Sequence, residues 1–490
     1  MVFTSLIYPV FLIVTALLYY VIPGRFRWVL LLIASIAYYL SFIPFYLLII
    51  TLAVIINYYM ALLMAVSAGS ARNHIFIITI LINLLVLCVF KYSGIIFPGL
   101  HLTLHPVDLF FRTDPVNTLI MPFGLSYLIF TVLSYQIELK RGNILPEKHP
   151  GYFSLYLLFF PRIGQGPIER PASLLRQLHQ VHNFDPALAE EGLRTILLGY
   201  FKKIVVADRL AIYVDAVYGN SSHHNGTSLM LATIFFAFQI YADFSGYTDI
   251  AIGSAKLFGI RLSENFRQPY MATSIKDFWD RWHISFSHWL RDYIFAPLAF
   301  RLTSFLSKIR FSESTAEKLI YSVSIITTFV ICGIWHGVGW NYVAWGLMFG
   351  VLLTFSLLAR NFNKALRKRL HIGKNSSFRK ALGISQTFLI LLFVWIIFRA
   401  GSLSSAFDIA GKILTDHGQL FYERSSDLIF SILGICSIIV IDVKNEFFSK
   451  KAFLPFSRFM PVRIAAVAFV VIVILLSGVF DGSQFIYFQF

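Results

Sequence analysis

Long apolar stretches, separated by short polar connections, recur from one end of the chain to the other. The first, "FTSLIYPVFLIVTALLYYVI" at residues 3–22, has the roughly 17–25 residues that a helix needs to cross a bilayer. It lacks the basic n-region and small-residue cleavage site of a signal peptide, so it is expected to remain as a first spanning helix. Further runs predict helices near 28–42, 44–66, 75–93 and 117–136, then 195–217 and 229–257, and finally 319–335, 338–359, 382–400, 428–442 and 464–480. Between them, residues 258–318 alternate basic and aromatic positions without one long apolar run. That pattern suits re-entrant or interfacial helices held against protein better than simple spans. The expected fold class is therefore all-α: a polytopic membrane protein of about 11–12 spanning helices with re-entrant helices around a central tunnel, forming one domain over 1–490.

Composition agrees, with 57% hydrophobic and only 13% charged residues, about half the charged share of a soluble domain. The formal charge of +16 raises nucleic acid as a partner, but the basic residues gather in the connections, as the positive-inside rule predicts for cytoplasmic loops. Nucleic-acid binding is set aside. Arg25 and Arg27 place the first loop in the cytoplasm and the N-terminus outside, and Lys140, Arg141 and Lys148 then fall inside. The segment 361–380 carries seven basic residues and no acid, whereas 401–427 carries Asp408, Asp416, Glu423 and Asp427 against Lys412 and Arg424. The first is expected inside and the second outside, which leaves the terminal "FIYFQF" outside. Cys88, Cys332 and Cys436 all lie in apolar runs, which offers neither a disulfide framework nor a CxxC metal site. No metal is expected.

Three clusters of polar residues interrupt the apolar pattern. "ICGIWHGVGW" at 331–340 sets His336 among Gly333, Gly337 and Gly339, with Trp335, Trp340 and Trp345 as candidate walls. An ionisable side chain in a span invites a functional hypothesis; the alternative is a neutral imidazole bonding a neighbouring helix, with the glycines serving only close packing. "DFWDRWHISFSHWLRDY" at 277–293 holds His283 and His288 at helical spacing, His283 framed by Trp282 and Phe286. "QIYADFSGYTDIAIG" at 239–253 buries Asp243 and Asp249. These carboxylates either mark a transport pathway or anchor the bundle by pairing with Arg261 or Arg267, and the anchor reading is preferred. Cys332 and His336 are four apart and share a helical face, but a small apolar core cysteine is favoured over a thiol nucleophile. No phosphate loop, HExxH or GxSxG motif occurs.

Together these residues resemble the membrane-bound O-acyltransferase (MBOAT) family, in its bacterial branch of the alginate and peptidoglycan O-acetyltransferase type. The resemblance spans nearly the whole chain: "MPFGLSYLIF" at 121, "FFPRIGQGPIERP" at 159, "GYFKKIVVADRLA" at 199, the block from "YADFSGYTDIAIG" through "DYIFAPL", "GIWHGVGWNYVAWG" at 333, "WIIFRA" at 395 and the terminal "FIYFQF". It implies that His336 matches the family's catalytic histidine and His283 a second histidine near the cytoplasmic entrance, with residues 239–360 forming most of the catalytic core. Tyr487, in the terminal aromatic motif, resembles an acyl-relay tyrosine; an interfacial aromatic belt is the alternative.

The implied function is transfer of an acyl group, expected to be acetyl, from a cytoplasmic thioester across the membrane to a cell-envelope or exported polysaccharide. Acetyl-CoA or an acylated carrier protein would serve as donor substrate, with no bound cofactor, and an extracytoplasmic partner transferase would take the group on. Trp282, Trp335 and Trp340 are candidate tunnel residues, and Arg261, Arg267, Lys276 and Arg281 are candidates for neutralising donor phosphates. The implied location is the bacterial inner membrane, in contact with lipid, with both termini extracytoplasmic. D-alanyl transfer to teichoic acid, transport of a polysaccharide or lipid precursor, and a scaffold without chemistry are the competing readings. The chain's segment beyond about 400, which the D-alanyltransferase type lacks, favours acetyl.

Overall fold

The computed structural model describes the chain except residues 1, 6, 43, 97–121, 165, 310–311, 361–363, 365–375, 449–459 and 481–490. The described residues form helices and no strands, and they divide into two compact units.

The first unit holds residues 6–189 together with 254–262. Its helices are α1 (Ile7–Val21), α2 (Arg27–Leu40), α3 (Pro44–Val66), α4 (Gly69–Ile96) and α5 (Leu125–Arg141), followed by the short α6 (Pro150–Leu158) and α7 (Pro171–His179). Several polar side chains inside this unit bond one another or backbone carbonyls. Asn57 of α3 and Asn83 of α4 each donate to the other's Oδ1, at 3.1 and 2.8 Å, and Gln136 of α5 donates to the Asn57 carbonyl at 2.9 Å. Neutral amides can bond reciprocally without charge, which suits a medium where an unmet polar group is costly. Arg162, from "FFPRIGQGPIERP", is fully buried. Its guanidinium donates to the Tyr127 hydroxyl and the Tyr156 carbonyl and lies over both rings.

The second unit holds 190–253 and 263–490, with residues 2–5. Helix α8 (Pro186–Tyr200) runs through a π turn, Phe201–Ala207, into α9 (Asp208–Gly219), and α10 (Gly226–Lys256) follows. Next come α11 (Ile275–Trp279), α12 (Ile284–Leu290) and α13 (Ala296–Leu306), then the long α14 (Glu313–His336), α15 (Trp340–Leu358) and α16 (Ser377–Arg399), and last α17 (Leu403–Thr415), α18 (Ser425–Val443) and α19 (Met460–Ser477). All twelve apolar runs read from the sequence contain helix. Among the described residues eight helices are long and apolar enough to cross a membrane; α1, α2 and α5 are shorter, and the π turn interrupts the run at 195–217. The chain is a multi-pass membrane protein. Burial separates its spans: 83% of the apolar window of α10 is covered by protein, against 6% for α19. A helix that is apolar all round and covered all round belongs to the centre of its unit.

Glycines allow that coverage. A Cβ on Gly199 would lie 2.6 Å from the Gly246 carbonyl oxygen, and one on Gly253 2.5 Å from that of Gly192. The two pairs are seven residues apart on each helix, so α8 and α10 approach backbone to backbone over two turns.

Candidate active site

His336 is the last residue of α14, and the extended Gly337 ends that helix before α15 starts at Trp340. The two helices form a hairpin whose closeness depends on missing side chains. A Cβ on Gly333 would strike the Tyr342 carbonyl, one on Gly337 the Tyr342 ring, and one on Gly346 the Phe329 carbonyl. The glycines around His336 therefore serve the packing of α14 on α15, which the sequence left open against ligand access. What they achieve for the site is placement, because the tight turn holds the imidazole inside the unit, 5% exposed.

The rings against it are Trp335 at 4.6 Å between centroids, Trp345 at 4.9 Å, Phe398 at 5.5 Å and Phe286 at 6.3 Å. Trp345 and Phe398 are themselves fully buried. Trp340 is 80% exposed, so the indole that α15 sets beside His336 is Trp345. Asn341 fastens the start of α15 to the end of α16 by donating to the Ala400 carbonyl at 3.1 Å, which brings Phe398 of "WIIFRA" to the pocket. Cys332 shares the buried face of α14.

His283 does not continue a helix towards His288. The segment 277–293 breaks there: α11 ends at Trp279, and His283 adopts left-handed φ/ψ of 44° and 53° immediately before α12. This conformation is uncommon for a residue with a Cβ, and it turns His283 inward while His288 stays exposed. The His283 ring lies 4.6 Å from Phe244 of α10 and 4.9 Å from Phe286 of α12. Phe286 thus touches both histidines, and the two belong to one aromatic pocket. Trp282 packs at its edge, 5.1 Å from Phe266 and 5.3 Å from Trp395. Burial pushes the His283 imidazole well below its ordinary range, because a desolvated ring resists taking a charge.

The acidic residues of α10 are paired with lysines. Asp243 pairs with Lys203 at 2.7 Å, and Lys203 also meets Asp208 at 2.6 Å. Asp249 pairs with Lys202 at 2.7 Å. The anchoring role expected for both carboxylates stands, but its partners are these two lysines of "GYFKK" and not Arg261 or Arg267. Sequence distance hid them; the π turn lets neighbouring lysines reach carboxylates six residues apart. Tyr241, also on α10, donates to Asp442 of α18 at 3.1 Å.

The candidate donor-binding cations divide. Arg281 gives both Nη groups to Glu446, at 2.7 and 3.1 Å, and Nε to Asp277 at 2.7 Å, so its guanidinium is committed to protein carboxylates. Lys276 pairs with Asp280 on an exposed face. Arg261, in the first unit, and Arg267, in the second, are both exposed. Tyr487 lies outside the described residues. Among the described residues no cluster of metal-ligating side chains occurs.

The model of the membrane-bound O-acyltransferase family matches residues 37–394. The chain belongs to that family. It is accordingly a membrane O-acyltransferase. It is 32% identical to the "Probable alginate O-acetylase AlgI" of Azotobacter vinelandii, over 83% of this chain and 75% of that protein. It is 29% identical to the "Peptidoglycan O-acetyltransferase" of Helicobacter pylori, over 77% of this chain and 71% of that one. With the "Teichoic acid D-alanyltransferase" of Bacillus subtilis it shares 29% identity over 58% of this chain and 70% of that protein. Both histidines fall within the matched family region.

Proposed function

We propose that this acyltransferase moves an acetyl group from a cytoplasmic thioester through the bacterial inner membrane to a hydroxyl of an exported or cell-envelope polysaccharide, with both chain termini outside. The observation that carries the reading is His336: a buried imidazole at a glycine-closed helix turn, walled by indole and phenyl rings. The acetyl assignment draws on the alginate O-acetylase relative, which aligns with 83% of this chain, against 58% for the D-alanyltransferase.

In the proposed step the acceptor oxygen attacks the thioester carbonyl carbon and the carbon–sulfur bond breaks. His336 takes the hydroxyl proton and returns it to the departing thiolate. General-base help of this kind is worth about 10²- to 10⁴-fold. The aromatic walls keep water from the thioester, so transfer outruns hydrolysis. His283 stands on the donor side of Phe286 as a second neutral imidazole. Exposed Arg267 meets the donor's phosphates; Arg281, committed to Glu446 and Asp277, instead holds the segment in place. Acetyl-CoA is the preferred donor over an acylated carrier protein. The first acceptor is the Tyr487 hydroxyl, from which a partner transferase outside the membrane collects the group.

The test uses inverted membrane vesicles holding wild type or His336→Ala at matched abundance, supplied with radiolabelled acetyl-CoA. Label in protein or extracted polysaccharide with wild type, and none with the variant, is expected. Equal labelling removes His336 from the chemistry, and label with D-alanyl carrier but not acetyl-CoA moves the protein to the D-alanyl class. Mass spectrometry should locate trapped acetyl on Tyr487; intact transfer by Tyr487→Phe would reduce that residue to an interfacial aromatic.

A further inference from the structure

We infer that Asn265 is a positioning residue that locks His283 in the tautomer protonated on Nδ1, leaving Nε2 as a bare acceptor. The tautomer does not depend on the proposed acetyl chemistry; its consequence for turnover does.

The Asn265 side chain is 1% exposed and its Oδ1 is the meeting point of three groups. The Ser285 backbone N–H donates to it at 3.1 Å, the Ser285 hydroxyl at 2.9 Å, and His283 Nδ1 lies 3.0 Å away. A backbone N–H can only donate, so the atom facing Ser285 must be the amide oxygen and the side chain cannot be flipped end for end. An amide oxygen can only accept. Nδ1 must therefore carry the proton, because a bare Nδ1 would set lone pair against lone pair at hydrogen-bond distance. A neutral imidazole then has its unprotonated nitrogen at Nε2.

The backbone reinforces the clamp. Ile284 N–H donates to the Asn265 carbonyl at 2.9 Å, and Arg267 N–H to the Arg281 carbonyl at 3.0 Å. Residues 265–267 and 281–285 are thus tied together on both sides of His283, which holds its left-handed backbone. The groups that face the ring are Phe244, Phe266, Phe286 and Asn265, with His336 beyond Phe286. Of the charged neighbours on the same elements, Asp243 and Asp249 pair with Lys203 and Lys202, Arg281 with Asp277 and Glu446, and Lys276 with Asp280, while Glu264 and Arg267 are exposed. A neutral orienting amide suits such a ring. An aspartate there would hold the same proton but draw the imidazole towards its charged form.

The experiment is ¹⁵N NMR of histidine-labelled full-length protein in detergent, with His283→Gln used to assign the His283 signals, alongside pH–rate profiles. Wild type should show His283 protonated at Nδ1 and bare at Nε2. Asn265→Asp keeps an acceptor for Ser285 and should fold; its His283 titration midpoint, and the acid limb of its turnover, should move up by about one unit or more. Asn265→Ala should release the tautomer and lower turnover by on the order of 10- to 100-fold, as for other groups that orient an imidazole. An Nε2-protonated His283 in wild type would overturn the proposal, as would an Asn265→Asp protein whose His283 titrates unchanged. Should the NMR result hold while no acetyl transfer is found, the tautomer assignment stands and the acetyl reading falls.

Discussion

The second unit keeps polar groups in an apolar interior in two ways, and both are packed against α10. Lys203 pairs with both Asp243 and Asp208, and Lys202 with Asp249, so two lysines hold three carboxylates. His283, which precedes α12 and lies against Phe244 of α10, has phenyl rings and a neutral amide about it. A buried charge survives only when paired, and pairing fixes it in one state. An imidazole without an ionic partner stays neutral and keeps a nitrogen able to change state. The first arrangement suits architecture and the second suits proton transfer.

The comparison breaks most sharply at His336. His336→Gln keeps most of the side-chain volume and should lower acyl transfer by about 10²- to 10⁴-fold, with thermal unfolding in detergent little changed. A loss of fold equal to the loss of activity would put His336 in the architectural class. The reverse pattern is expected at Lys203. Lys203→Met leaves Asp243 and Asp208 without their cation and should cost about 3–5 kcal/mol of stability, read as a lower unfolding temperature and poorer membrane yield. Adding Asp243→Leu and Asp208→Leu should recover much of that loss, because an apolar replacement of a buried ionic group is often tolerated.

Gly346→Ala tests whether placement alone matters. The new methyl would strike the Phe329 carbonyl, and forcing α14 and α15 apart should cost about 1–3 kcal/mol. Turnover per folded molecule should fall too, since the same hairpin aims His336; unchanged turnover would detach the packing from the chemistry.

Much of this was legible in the sequence. Apolar runs of spanning length mark the helices because a bilayer demands them, and both histidines stand out because ionisable groups are rare there. The partners were harder to see. Lys202 and Lys203 lie far before Asp249 and Asp243 in the chain, and a π turn, which hydropathy does not register, brings them round. Asn265 is an unremarked polar residue in "LSENFRQ", and its role appears only when the chain folds back to Ser285. Trp340 and Trp345 are indistinguishable by composition; the five-position offset along α15 decides which one is buried.

The smallest effect expected is a pH dependence belonging to His283. In the fold its imidazole is held neutral well below the ordinary range, whereas in the unfolded chain it protonates near pH 6.5. Below that pH the unfolded state binds a proton that the folded state refuses, so acid favours unfolding. The contribution is fully present above about pH 6.5 and is lost as the pH falls from there towards the folded value, by up to about 1.4 kcal/mol per unit. Unfolding temperatures measured between pH 7.5 and 5.5 should drop more steeply for wild type than for His283→Gln, which cannot take the proton. Equal slopes for the two proteins would mean that His283 is as easily protonated inside the fold as outside it, and the distinction between an ionic layer and a neutral pocket would lose its physical basis.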